Sequence, residues 1–289
     1  MGFRVKGLRT AAWALGVLAA ATAAGTPALA DIAKPWQILF QEPASPVMER
    51  IVAFNDLISA IIVLITVFVL ALLLYVAVKF NEKANPVPST TTHNTTLEVV
   101  WTVIPVLILV VIGIPSLKLL YYMDRHADPD MTLKVTGHQW YWSYEYPDHG
   151  GFGFDSIPVE EAKLKPGEPR LLTVDNQVVL PVDTNVRILQ TSADVIHAWS
   201  IPALGVKVDA TPGRVNENWV RIVKEGVYYG QCMELCGVNH YFMPIAIRAV
   251  SKDAFKDWVE KAKKQFAGSP AGGGVPAEEQ MTVAAVPAR

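Results

Sequence analysis

The sequence predicts a two-helix transmembrane hairpin joined to an exported, all-β Greek-key sandwich or barrel. Three patterns lead there. Two uncharged apolar stretches, Leu57 to Val78 and Val99 to Leu117, lie in the first half of the chain. A series of short β-prone runs follows between Asp130 and Val250. The extreme N-terminus has the form of an export signal. The chain has 289 residues, is 51% hydrophobic and carries a formal charge of −2, with the hydrophobicity gathered into blocks. That is the distribution of a membrane protein with a soluble part.

Arg4, Lys6 and Arg9 precede the apolar stretch Ala11 to Ala24, and Ala28-Leu-Ala30 follows. A basic start, a short apolar run and an Ala-x-Ala end predict a signal at residues 1–30, cleaved after Ala30. Pro27 and the many alanines argue against a permanent anchor. The hairpin is expected within residues 31–121. Each uncharged stretch is long enough to cross a hydrocarbon core of about 30 Å as a helix. Both are apolar on every side rather than striped, which separates them from surface helices of a soluble protein. Pro105 and Pro115 are expected to be tolerated within the second span. A cleaved signal leaves the mature N-terminus outside, and two spans return the chain to that side. The loop from Lys79 to Glu98 is then cytoplasmic, and Lys79 and Lys83 agree with the positive-inside tendency.

Residues 122–266 are expected to form the exported domain. Met131–Thr136, Trp140–Tyr146, Arg170–Val174, Asn185–Gln190, Glu217–Val223, Gly226–Gln231 and Pro244–Val250 read as strands, separated by Gly, Pro and Asp/Asn clusters. Such spacing suits a Greek-key sandwich or barrel. Ser251 reads as the N-cap of a terminal helix, Lys252 to Phe266, with an apolar stripe of Ala254, Phe255, Trp258 and Val259. The Gly-, Ala- and Pro-rich tail, 267–289, is expected to be disordered.

The chemistry is concentrated in Cys232-Met-Glu-Leu-Cys236-Gly-Val-Asn-His240-Tyr-Phe-Met243, with His197 upstream; the chain has only these 2 cysteines. Thiolates, imidazoles and a thioether are the mixture that copper prefers. Four readings fit the residue types. The cysteines could form a disulfide, as in many exported proteins. A Cys2His2 zinc site fits the count but has no use for Met243. A mononuclear blue copper site leaves one cysteine surplus. Two thiolates could instead bridge a pair of copper ions, each completed by one histidine. Met243 would then be a weak ligand to one ion and a backbone carbonyl near Glu234 to the other.

This loop resembles that of the cytochrome c oxidase subunit II family. The resemblance extends from about Ile38 to Val250. It includes the helical hairpin, Gly137-His-Gln-Trp-Tyr-Trp142-Ser-Tyr-Glu145-Tyr, Asp194-Val-Ile-His197-Ala-Trp199, and Val208-Asp209-Ala-Thr-Pro-Gly-Arg214. It implies a cupredoxin-like domain that carries the dinuclear copper A centre. Cys232 and Cys236 would bridge the ions, His197 and His240 would ligate one each, Met243 would be axial, and Glu234 would offer its backbone carbonyl. The Glu234 side chain would also ligate magnesium or manganese at the boundary with subunit I, a role that suits a carboxylate. The resemblance further implies that Trp140 receives electrons from cytochrome c, and that Glu98 lies at the mouth of the K proton path of subunit I. Signal and size look like those of α-proteobacterial aa3-type oxidases. The implied setting is the bacterial inner membrane, with both mature termini and the copper domain periplasmic. The implied partners are subunit I with haem a, haem a3 and copper B, subunit III, cytochrome c and membrane lipid.

Between Asp124 and Val250 sixteen Asp/Glu face eleven Lys/Arg, about −5 net. A negative surface would steer a lysine-ringed cytochrome c. By resemblance Glu145, Asp194 and Asp209 belong to it, with Asp155 from a loop that aligns less well. His93, His126, His138 and His149 lie apart from the motif and read as non-ligands. No Lys/Arg run supports nucleic acid binding. Three rivals each miss a feature. A nitrous-oxide reductase would need a propeller domain, and a quinol oxidase subunit II lacks the copper ligands. A copper chaperone or disulfide-stapled structural subunit has no use for an electron-entry tryptophan.

Overall fold

The computed structural model describes residues 32–124 and 128–267. The expected export signal and residues 268–289 of the tail lie outside the described residues, as does His126.

Helix α1 spans Pro46–Lys79 and α2 spans Thr95–Asp124, and the two pack against each other. Each is long and apolar enough to cross a membrane, and none of its most apolar window is buried by the rest of the chain. Such faces are stable only in contact with lipid or another protein. Helix α2 continues through Pro105 and Pro115, as expected. Helix α1 starts eleven residues before its uncharged stretch. Its first turns carry Glu49 and Arg50, so hydropathy misses them, but Ser45 caps the helix by accepting the Met48 N–H at 3.0 Å, with Pro46 in the first turn.

That extension joins hairpin to domain. Ala44, Ser45, Val47 and Met48 are buried. Ser45 Oγ donates to Leu204 O at 2.7 Å, and the Ala44 N–H donates to Ala203 O at 3.0 Å. At the end of α2, Trp219 donates its indole N–H to Met123 O at 3.1 Å, and Arg50 lies 3.5 Å over the Tyr122 ring.

The domain is a sandwich of two five-stranded sheets. The first has the order β3-β2-β1-β5-β8, from β1 (Met131–His138), β2 (Tyr141–Tyr146), β3 (Phe152–Ser156), β5 (Val186–Ser192) and β8 (Asn216–Val220). The second has the order β4-β10-β9-β6-β7, from β4 (Val178–Pro181), β6 (His197–Ile201), β7 (Val206–Ala210), β9 (Gly226–Cys232) and β10 (Pro244–Val250). The β1–β5 and β4–β10 pairs are parallel, the others antiparallel. Leu133, Trp142, Tyr144, Ile188, Trp199 and Ile245 fill the space between them.

The strand expectations need correction. Arg170–Val174 is turn structure that meets the sheet only through a bridge between Val174 and Pro158. Strands β3, β4, β6 and β7 are additional. Every residue of β4 and β6 is buried, so neither shows the alternation that marks a half-exposed strand.

Helix α3 (Lys252–Gln265) starts at Ser251, whose hydroxyl accepts the Ala254 N–H at 3.3 Å. It closes the sandwich edge near β3 and β4. Trp258 packs on Tyr146 and Phe152, and Phe266 stacks on Phe154. The buried stripe is Phe255, Val259 and Ala262; Ala254 is exposed, one position off the i, i+4, i+7 row.

Candidate metal centre

The loop from Cys232, at the end of β9, to Met243, just before β10, turns back over one end of the sandwich. His197, the first residue of β6, is fully buried beneath it. Gly137 on β1 makes room for its ring: a Cβ there would stand 2.8 Å from His197 Cδ2. Gly237 adopts φ +118°, and a Cβ there would meet Trp140 Cζ2 at 2.9 Å. Both glycines allow a close approach that a larger residue would block.

The donor atoms converge. Cys232 Sγ and Cys236 Sγ are 3.8 Å apart, and both thiols are free. His197 Nδ1 lies 3.9 Å from Cys232 Sγ, and His240 Nδ1 lies 3.5 Å from Cys236 Sγ. Met243 Sδ is 3.4 Å from Cys236 Sγ, and the carbonyl of Glu234 is 3.3 Å from Cys232 Sγ. The donor atoms of His197, Cys232 and Cys236 all fall within 4.8 Å of one another. These three form a group able to hold copper, and the soft, buried donor set fits that metal.

The electrostatics agree. Burial raises the Cys232 thiol, but hydrogen bonding with His197 and nearby backbone groups outweighs it and brings the group down to about 7. Burial and the charge of Cys232 push Cys236 up. A cation between the sulfurs would offset that repulsion and release the remaining proton. His197 turns Nε2 to Asp194 Oδ1 at 2.8 Å, leaving Nδ1 for the sulfur side. A carboxylate behind a ligand imidazole fixes both tautomer and ring orientation.

Asp194 was expected on a docking surface. Its carboxylate also accepts the N–H of Gln139 at 2.7 Å and of Val195 at 2.6 Å, so much of it is engaged. The contact of Asp194 with His197 is local, three residues along β6's approach, and the Asp-x-x-His spacing was its only sequence signal; the role of Gln139 left none, because its partners lie 55 and 97 residues away along the chain. Trp140 is half-buried and donates its indole N–H to Cys236 O at 3.1 Å. Glu145, on β2, pairs with Lys134 at 3.0 Å. Asp155, on β3, accepts from Ser143 Oγ at 2.6 Å. Asp209 is exposed on β7, in register with Ala198 beside His197. The Glu234 side chain belongs to an exposed residue. Glu98, in the first turn of α2, accepts the Asn94 N–H at 3.4 Å, far along the chain from the loop. Of the histidines read as non-ligands, His93 is exposed and contacts Thr92. His149 lies edge-on to Phe255. His138 stacks on Tyr141 and contacts Ser143 Oγ at 2.9 Å.

Fold and site together define a membrane-anchored β-sandwich protein with a candidate copper centre at its rim. The profile of the cytochrome c oxidase subunit II periplasmic domain matches residues 131–250, and that of the subunit II transmembrane domain matches residues 33–119. A probable cytochrome c oxidase subunit 2 of Rickettsia bellii is 52% identical over 230 residues, 80% of this chain and 86% of the relative. Cytochrome c oxidase subunit 2 of Phytophthora megasperma is 49% identical over 235 residues, 80% of this chain and 88% of the relative. The crystal structure of the periplasmic domain of cytochrome oxidase subunit II of Bradyrhizobium japonicum is 55% identical, covering 50% of this chain and 100% of that one, with a TM-score of 0.47. The chain belongs to the cytochrome c oxidase subunit II family, and is thus a subunit of that enzyme.

Proposed function

We propose that this chain is the electron-entry subunit of its oxidase. His197, Cys232, Cys236, His240, Met243 and the carbonyl of Glu234 would hold a dinuclear copper A centre. The observation that carries this reading is the convergence of two imidazole Nδ1 atoms, two free thiols, a thioether and one carbonyl at the end of the sandwich. A disulfide-stapled structural subunit would have no reason to aim two imidazoles and a thioether at its sulfurs. Bound there, the copper pair would supply a one-electron couple between cytochrome c and haem a of subunit I, for oxygen reduction coupled to proton pumping.

The protein's own part is to hold the donors still. Asp194 orients His197, and the buried sulfurs sit against the sandwich core. Donors that cannot relax keep the reorganisation accompanying electron transfer small. Trp140 combines a partly exposed ring with a hydrogen bond to the carbonyl of a ligand residue, which suits it to receive electrons. Glu145, Asp194, Asp209 and Asp155 would give the docking face its negative charge, Asp209 most directly because its side chain is exposed. Glu234 would turn its side chain to magnesium or manganese at the subunit I boundary. Glu98 would serve the K proton path.

The same reading makes residues 31–121 a hairpin in the bacterial inner membrane, with 122–266 as its periplasmic domain. Residues 1–30 would be a cleaved signal and 267–289 a disordered tail. Subunits I and III, lipid and cytochrome c would be its partners. The test is electron paramagnetic resonance, with a copper count, on the detergent-solubilised oxidase or the copper-loaded full chain. One electron shared over two equivalent copper nuclei is expected. A single-copper spectrum, or zinc in place of copper, refutes the proposal.

A further inference from the structure

The turn between β1 and β2 carries a residue that touches the supports of both cysteine-side and histidine-side ligands. The backbone N–H of Gln139 donates to Asp194 Oδ2 at 2.7 Å, and Oδ1 of that carboxylate contacts His197 Nε2 at 2.8 Å. The side-chain Nε2 of Gln139 donates to the carbonyl oxygen of Cys236 at 2.7 Å. The same oxygen accepts the indole N–H of Trp140 at 3.1 Å. Only the amide nitrogen can face it, because the flipped amide would set two carbonyl oxygens against each other at that distance.

The next residue shows how closely the clamp fits. A Cβ on Gly237 would lie 3.1 Å from Gln139 Nε2 and 2.9 Å from Trp140 Cζ2. The peptide between Cys236 and Gly237 is therefore pressed beneath these two side chains, and both lone pairs of its oxygen have donors. Farther along the loop, the Trp142 indole N–H donates to Met243 O at 3.2 Å, so Cys236 O is the loop carbonyl held by two side chains from the β1–β2 turn.

We infer that Gln139 is a positioning residue of the metal centre: one residue ties the carboxylate that orients His197 to the peptide that carries Cys236. It touches no donor atom itself. Its effect is to hold the β6 side of the site and the loop side at one spacing, so that the environments of two bound ions stay matched. This inference rests on the dinuclear copper reading proposed above.

The test uses the intact oxidase with Gln139→Glu, Gln139→Leu and Gln139→Lys. All three keep the backbone bond to Asp194. Glu is nearly isosteric but offers no amide donor, Leu offers none, and Lys restores one. The expected result has three parts. Glu and Leu should give a resonance spectrum in which the copper nuclei are no longer equivalent. They should shift the midpoint potential and lose copper to a chelator about fivefold faster, the scale of one lost hydrogen bond. Lys should remain near the parent in spectrum and copper retention, while its added charge moves the potential alone. Parent-like spectra, potentials and copper retention in Glu and Leu overturn the inference. So does equal disturbance in all three variants, which would mean that side-chain shape and not the donor matters. If the parent oxidase itself lacks the shared-electron spectrum, the dinuclear reading falls first, and the two failures are thereby distinguished.

Discussion

Gly137→Ala is the sharpest probe of how the fold builds the site. Gly137 lies in β1 in ordinary strand conformation, so a methyl group there acts through space alone. It would stand 2.8 Å from His197 Cδ2, 3.0 Å from Cγ and 3.2 Å from Cβ. Carbon contacts become comfortable near about 3.5 Å, so the imidazole must retreat by roughly 0.7 Å. It has little room to do so. The ring is fully buried, has the Trp142 ring as a neighbour at 5.8 Å between centroids, and is tethered to Asp194 at 2.8 Å. Overpacking of this kind costs about 1–3 kcal/mol. At about 4 °C per kcal/mol for a domain of this size, the midpoint should fall by roughly 4–12 °C. Metal ligation tolerates only about 0.2 Å, so copper binding should suffer more than the fold. The assay is paired: thermal melting of the metal-free and copper-loaded protein, and the copper resonance spectrum. Gly113→Ala in α2 is the control, because nothing lies within 4 Å of its added methyl. Parent-like melting together with a parent-like copper spectrum in Gly137→Ala would refute the argument that this glycine sets the position of His197.

Three further outcomes follow from the same contacts. Trp140→Leu should retain two coppers yet slow electron entry from cytochrome c at least about tenfold, read by stopped-flow; an unchanged rate removes Trp140 from the path. Ser45→Ala deletes a buried helix cap and the bond to Leu204 O, and should cost about 2 kcal/mol in denaturant titrations. Burial lowers the His149 pKa, Lys263 adding to the effect and Asp148 opposing it. The unfolded chain therefore takes up this proton first as pH falls, so its stabilising contribution is present above about 6.5 and lost below it. His149→Gln should flatten that part of the stability profile in the copper-loaded protein, and an unaltered profile would count against the assignment.

Much of this was legible in the sequence because it depends on local pattern. Uncharged runs long enough to cross a bilayer can be read directly, since burying charge in hydrocarbon is costly. Strand β10 lies where its short β-prone run after the loop put it, and the Ser251 cap where cap chemistry put it. The soft-ligand spacing from Cys232 to Met243 pointed to copper. The misread elements failed in two ways. Strands β4 and β6 are buried on both faces and show no alternation, whereas Arg170–Val174 is β-prone but lies in a turn.

What the sequence determined by itself was the kind of chemistry and the side of the membrane problem it belongs to: ligand types, their order, and two apolar spans. Whether the cysteines form a disulfide, and whether His197 lies near them at all, are matters of distance across 35 residues of chain. Only the tertiary structure decided these, by setting β6 beside β9 and leaving the thiols free at 3.8 Å. It also placed Asp194 against His197 and Gln139 between Asp194 and the Cys236 carbonyl. The partners of Gln139 are brought near by sheet packing, and a hydrogen bond reaching 97 residues along the chain leaves no periodic trace in the sequence.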